Sequence, residues 1–201
     1  SWRNSDDGFV RDVHVSKLII DPNNNNVFYA TTQGATEYTD KVGDGAGVFK
    51  STDRGNNWTQ INNGLDSLET NILTVDPNDS ETLYLGTDDD GVYKSTDGGE
   101  SWKKLTVSSL SKSFGVGDII VDPQNSNNIY IGTVDYFRLS ESRGVLGDFG
   151  VYKSTDGGAT WEEFNVGLNH LGVFSLELSE ENRILYAGTR AGGVYWISLD
   201  N

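Results

Sequence analysis

One phrase returns three times in this chain, at residues 47–58, 91–102 and 150–161. Each copy runs from Gly-Val-aromatic-Lys into Ser-Thr-Asp-x-Gly-x-x-Trp, and the last two share Ser-Thr-Asp-Gly-Gly-x-x-Trp. A phrase that recurs at roughly 45–60 residues marks an array in which one supersecondary unit is used repeatedly. Each copy sits in a longer unit. An apolar run ends in Asp-Pro (Leu18-Ile19-Ile20-Asp21-Pro22, Leu73-Thr74-Val75-Asp76-Pro77, Ile119-Ile120-Val121-Asp122-Pro123). A turn rich in Gly, Asn and Ser follows, then a second run such as Leu83-Tyr84-Leu85-Gly86-Thr87. The third run is Gly-Val-Tyr/Phe-Lys, and the fourth begins at the tryptophan.

β-Branched and aromatic residues in short runs, punctuated by turn residues, predict strands. Four antiparallel strands in about 45 residues predict one blade of a β-propeller. The expected fold is therefore all-β, with blade 1 at about 13–65, blade 2 at about 68–110, blade 3 at about 114–168 and blade 4 at about 171–199. The fourth repeat supplies only three strands, at 173–178, 184–189 and 193–196. Ser1-Trp2-Arg3 reads like the start of a fourth strand, as in Ser101-Trp102-Lys103. The strand at 1–5 is thus expected to complete blade 4 and close a single four-bladed domain, which removes exposed sheet edges. The alternative is four blades of a larger propeller.

The phrase resembles the Asp-box, or BNR repeat, of sialidase-like propellers, xyloglucan-cleaving glycoside hydrolases, sortilin-type receptors and photosystem-assembly propellers. The resemblance implies that the box closes the hairpin between strands three and four of a blade. Its carboxylate would cap backbone N–H groups, its glycine would take positive φ and its tryptophan would cover the turn. The box residues are Ser51, Asp53, Gly55 and Trp58; Ser95, Asp97, Gly99 and Trp102; and Ser154, Asp156, Gly158 and Trp161. Their roles are read as structural, not catalytic.

The chain has 201 residues, a net charge of −15, no Cys and no Met. The acidic balance argues against phosphate-backbone binding, which needs a concentrated basic face. No apolar run is long enough to insert in a membrane. The absence of Met sets the expectation that Ser1 is not a translation start and that a secretory signal has been removed, for a secreted or cell-surface protein. Asn57-Trp58-Thr59 and Asn78-Asp79-Ser80 fit the N-glycosylation pattern.

Propellers carry function on loops held by the scaffold. Between strands two and three, 14 residues separate Thr32 from Gly47 and 16 separate Thr133 from Gly150. Only three separate Thr87 from Gly91, and three separate Thr189 from Gly193. The two long loops mark the expected functional face. Aromatic rings beside carboxylates and guanidinium groups suit a sugar or peptide. The candidate ligand-binding residues are Glu37, Tyr38, Asp40, Asp135, Tyr136, Phe137, Arg138 and Arg143, with Arg190. A second reading has these rings folding inward to pin the loops, and a third has the loops meeting another subunit.

No organic cofactor is expected. Asp88, Asp89 and Asp90 are the candidate calcium ligands, although a calcium site needs six to eight converging oxygens. His14 and His170 are the only histidines, too few for a zinc site. The favoured function is a non-catalytic β-propeller that presents its loops to a protein or glycan partner. One alternative is a self-assembling, homo-oligomeric subunit of an extracellular layer or filament. Another, implied by the resemblance, is a glycoside hydrolase or a piece of one. It would use arginines such as Arg11, Arg138, Arg143 and Arg190, or a carboxylate pair among Asp88, Asp90, Asp135, Glu141 and Asp148.

Overall fold

A computed structural model describes residues 4–9, 13–34, 45–110, 113–135 and 148–200. Their strands form four antiparallel sheets in which each strand pairs with its neighbour in sequence. The first contains β1 (Val13–Asp21), β2 (Asn24–Gly34), β3 (Val48–Ser51) and β4 (Thr59–Gln60). The second contains β5 (Thr70–Asp76), β6 (Asp79–Thr87), β7 (Val92–Ser95) and β8 (Lys103–Lys104). The third contains β9 (Gly115–Val121), β10 (Ile129–Val134), β11 (Val151–Ser154) and β12 (Glu162–Glu163). The fourth contains β13 (Val173–Ser179), β14 (Ile184–Thr189) and β15 (Gly193–Ser198). These are blades of the β-propeller type. Among the described residues the fourth sheet has three strands, and residues 1–3 of the strand expected to complete it lie outside the described set.

The hydrophobic pattern explains why the sheets stack. Each first strand carries apolar residues two apart, which point to the same face. The chain divides into two compact units, Ser1–Thr87 with Tyr93–Lys104, and Asp88–Val92 with Leu105–Asn201. In the first unit, Leu73 and Val75 of β5 pack in one cluster with Tyr29, Val48 and Ile61 of the sheet before, and with Leu83, Leu85 and Trp102 of their own. In the second unit, Leu176 and Leu178 of β13 join Tyr130 and Val151 in the same way. A second cluster of the first unit holds Phe49 and Trp58 under Phe9, whose ring stacks on Phe49 at 4.3 Å.

The Asp-Pro turn at the end of each first strand uses its carboxylate twice. Asp21, Asp76 and Asp122 each accept the N–H two residues on, from Asn23, Asn78 and Gln124. In the first unit, Ser80 of the second sheet also donates its hydroxyl to Asp21 at 2.9 Å. In the second unit, Arg183 of the fourth sheet grips Asp122 with two bonds, at 2.9 and 2.6 Å. Burial pushes the Asp122 carboxyl up, but the Arg183 and Gln124 donors outweigh it and its pKa is lowered.

The three boxes share one geometry. Ser95 donates its hydroxyl to Asp97 at 2.7 Å and accepts the N–H of Gly99 at 2.9 Å, with Gly99 at φ +93°. Asp97 in turn accepts both the N–H and the hydroxyl of Ser101. Ser51–Asp53–Gly55 uses Asn57 in the place of Ser101, and Ser154–Asp156–Gly158 uses Thr160. The three carboxyls are held at about 2, with the side-chain donors Asn57, Ser101 and Thr160 as the largest cause. Carboxylates this committed to their own hairpin are hydrogen-bond acceptors of the turn.

Candidate functional site at the necks of the long loops

Residues 35–44 and 136–147 lie outside the described set, and with them Glu37, Tyr38, Asp40, Tyr136, Phe137, Arg138 and Arg143. Their necks are described. One threonine device holds each. Thr32 donates its hydroxyl to Gly47 O and accepts the N–H of Ala46, both at 2.9 Å. Thr133 donates to Gly150 O and accepts from Phe149, also at 2.9 Å. A buried threonine that both donates and accepts across the neck ties the two stems together without a sheet ladder. In the short fourth loop Thr189 makes the corresponding pair with Gly193 O and Gly192 N–H.

Above the threonines each neck is closed by a carboxylate. In the first unit, Glu69 spans the two stems, accepting Gly34 N–H at 3.0 Å and Gly45 N–H at 2.8 Å. In the second unit, the carboxylate comes from the loop itself, where Asp148 accepts the N–H of Asp135 at 2.9 Å. Arg190, on the turn after β14, completes this neck. Its guanidinium donates to the Asp135 carbonyl and lies 3.8 Å from Asp148. It also stands 5.1 Å over the ring of Phe174, a residue of β13 that is 41% exposed.

Of the sequence candidates, Asp135 and Arg190 are thus brought together, with Asp135 buried and tied through its backbone at both ends. Asp148 joins them. Glu69 and Phe174 carried no signal in the sequence, since Glu69 sits in a linker and Phe174 in an ordinary strand run. Asp88, Asp89 and Asp90 follow one another through a bend. No three His, Cys, Asp or Glu side chains among the described residues form a metal-holding group. His14 is exposed on β1 and His170 lies 6.4 Å from the ring of Tyr195. Asn57, in one glycosylation pattern, spends its amide on Asp53.

A flat ring, a partly exposed guanidinium and a carboxylate now share the rim of one loop. An aromatic ring beside a guanidinium and a carboxylate has the chemistry suited to a sugar or peptide ligand.

A family model described as Sortilin-Vps10 (sortilin, neurotensin receptor 3) matches residues 46–195. A xyloglucanase of Acetivibrio thermocellus is 36% identical over 96 residues, which cover 43% of this chain and 11% of that protein. A GH74 enzyme of Niastella koreensis superposes with a TM-score of 0.66 at 28% identity, over 92% of this chain and 28% of its own. An ancestral GH74 enzyme superposes with a TM-score of 0.71 at 26% identity, over 96% of this chain and 23% of its own. The chain therefore spans between 11% and 28% of the length of these relatives.

Proposed function

The chain belongs to the Sortilin-Vps10 family, and on that premise we propose that it is a carbohydrate-binding stretch of propeller whose ligand is a β-glucan of the xyloglucan class. The observation that carries this reading is the grouping of exposed Phe174 with Arg190 and Asp148 at the neck of the 136–147 loop. On this reading the exposed part of Phe174 supplies an apolar contact to a sugar ring, and Arg190 and Asp148 supply hydrogen bonds to its hydroxyls. The matched xyloglucanase supports the choice of polysaccharide. Such a ligand places the protein outside the cell.

On this reading the chain binds without turnover. The carboxylates described at the necks, Glu69 and Asp148, accept backbone N–H bonds that hold the loops. Calorimetric titration with xyloglucan oligosaccharides is expected to show saturable binding, with no reducing ends released on long incubation. Phe174→Ala is expected to weaken binding about tenfold, the loss of one stacking contact worth about 1.4 kcal/mol. Absence of binding to both xyloglucan and unbranched cello-oligosaccharides would sink the proposal. Release of reducing ends would instead favour the reading of a piece of a hydrolase.

A further inference from the structure

Strand β13 carries the aromatic residue of the site on a bulge. Its register against β14 slips between Val173 and Ser175, so Phe174 is the extra residue and interrupts the alternation of the strand. A bulge re-aims a side chain, and the aim holds only if its flanks are fixed. Within the second unit both flanks are. Before Phe174, Arg190 donates its N–H to Gly172 O at 2.8 Å, and a Cβ on Gly172 would lie 2.9 Å from the Asp148 carboxylate. After Phe174, Leu176 donates its N–H to Oδ2 of Asp118 on β9 at 2.8 Å. The other oxygen of Asp118 accepts the N–H of Ile119 at 2.9 Å, which orients the carboxylate. Between the two flanks the bulge faces Gly117, itself the residue left out where β9 and β10 shift register. A Cβ there would stand 2.2 Å from Val173 O and 2.9 Å from the Phe174 Cα. Backbone meets backbone at this point, so the side chain that β9 offers to the bulge is that of Asp118.

In the first unit the corresponding joint is built differently. Ser16 of β1 is the extra residue there, as Gly117 is in β9, and Lys17 stands in the place of Asp118. Ser16 donates its hydroxyl to Thr70 O of β5 at 2.8 Å. Thr70 precedes the extra residue of β5 as Val173 precedes that of β13. A hydroxyl thus takes up the carbonyl that Gly117 only approaches. The residue that follows the extra one is Ile72 in β5 and Ser175 in β13. Among the four first strands β9 alone has a carboxylate at this position, and it serves the one bulge whose extra residue is aromatic.

We propose that Asp118 is a positioning residue of the glycan site. By accepting the Leu176 N–H it locks the β13 bulge in the register that holds the Phe174 ring 5.1 Å from the Arg190 guanidinium. This role rests on the glycan reading of the site, and it adds a residue that touches no ligand and acts through Phe174 alone. A backbone N–H bond to an ionised carboxylate is about twice as strong as a neutral one, which suits it to hold an irregular point of a strand. Gly117 has the complementary part, since any side chain there would push the bulge away from β9.

The test is a double-substitution cycle on the whole chain, read by calorimetric titration with xyloglucan oligosaccharides. Asp118→Ala is expected to weaken binding about fivefold. Asp118→Asn keeps one acceptor oxygen for the two N–H groups and is expected to weaken it about twofold. In the Phe174→Ala background neither substitution is expected to weaken binding further, because residues that act through one contact do not add. Without ligand, amide exchange at Leu176 is expected to quicken and the Phe174 ring resonances to shift. Circular dichroism checks the fold, and Asp118→Asn, which keeps the size of the side chain, carries the test if Asp118→Ala does not fold. Losses of the same size with and without Phe174 overturn the role, as does binding that stays at the wild-type level. A wild-type chain that binds no glycan overturns the reading of the site instead. Leu176 exchange and the Phe174 ring then decide the role of Asp118 by themselves: changes in both uphold it, and no change overturns it.

Discussion

Strands β1 and β5 carry almost the same apolar phrase, Leu-x-Ile-Asp-Pro and Leu-x-Val-Asp-Pro. Leu73 and Val75 of β5 are buried, while Leu18 and Ile20 of β1 are exposed. Propensity and pattern are therefore equal and only the neighbour differs. β5 lies against Tyr29, Val48 and Ile61 of the preceding sheet, and neither Leu18 nor Ile20 has such a cover among the described residues. A hydrophobic stripe records that a strand is built to be covered. It does not record what supplies the cover.

The strongest way to break that comparison is to truncate both leucines. Leu73→Ala is expected to cost about 3 kcal/mol, within the range of about 2–5 for a buried leucine that leaves a cavity. Leu18→Ala, measured in dilute protein, is expected to stay within about 0.5 kcal/mol, as at other exposed positions. Urea unfolding of both variants checks this. Equal losses at low concentration would show that β1 is covered within one chain.

A second test compares how the two units tie their Asp-Pro turns. Asp21 receives a hydroxyl from Ser80, but Asp122 receives both arms of Arg183. Removing one partner of a buried pair costs about 3–5 kcal/mol because the other charge is left unpaired. Arg183 keeps 17% exposure and Asp122 none, so Arg183→Ala is expected at about 3 kcal/mol, at the lower edge of that range. Ser80→Ala removes one neutral donor and is expected to cost about 1 kcal/mol. Equal effects would mean that water replaces the guanidinium at Asp122.

Much of this arrangement was legible in the sequence, and the parts that were not share a cause. Repeated turn chemistry located the sheets, because Asp-Pro, the box and the Gly-Val-aromatic run act over a few residues and need no distant partner. The same holds for the box carboxylates, whose donors lie two to four residues away. Arg183, Glu69 and Phe174 escaped because each acts across a sheet boundary or a neck. Arg183 sits in a turn, 61 residues from Asp122 in sequence, and Glu69 in a linker, 35 residues from Gly34 and 24 from Gly45. The expectation of a functional face rests on loop lengths alone, and the two long loops themselves lie outside the described residues. The described part of that face is held by Arg190 and Asp148 around Phe174, which no local pattern distinguishes from other strand aromatics.

Acid is the next lever, since three sheets carry a box and the described part of the fourth does not. Asp53, Asp97 and Asp156 are held at about 2, below the ordinary 3.8. A depressed folded value contributes stability that is fully present above the ordinary value and is lost as the pH falls through about 2. The urea midpoint is therefore expected to decline between pH 4 and pH 2, and the decline to be shallower in Asp97→Asn. Carboxyl titration by NMR should find these three groups among the last to protonate. An Asp97 that titrates near 4 would show that the Ser101 and Ser95 bonds do not persist in solution.

The smallest effect on stability is expected at the necks, where the contrast is between a carboxylate borrowed from the next repeat and one carried by the loop. Glu69→Ala deprives Gly34 and Gly45 of a shared acceptor, but water can reach both N–H groups once the side chain is gone. Global stability should fall by about 1 kcal/mol or less. The consequence should be local, with faster hydrogen exchange at Gly34 and Gly45 and no change at Asp135. Asp148→Ala should do the reverse, and it should also weaken glycan binding because Arg190 loses its partner beside Phe174. If Glu69→Ala weakens binding as strongly as Asp148→Ala, the ligand engages both loops. If only Asp148→Ala does so, the binding surface belongs to the second unit alone.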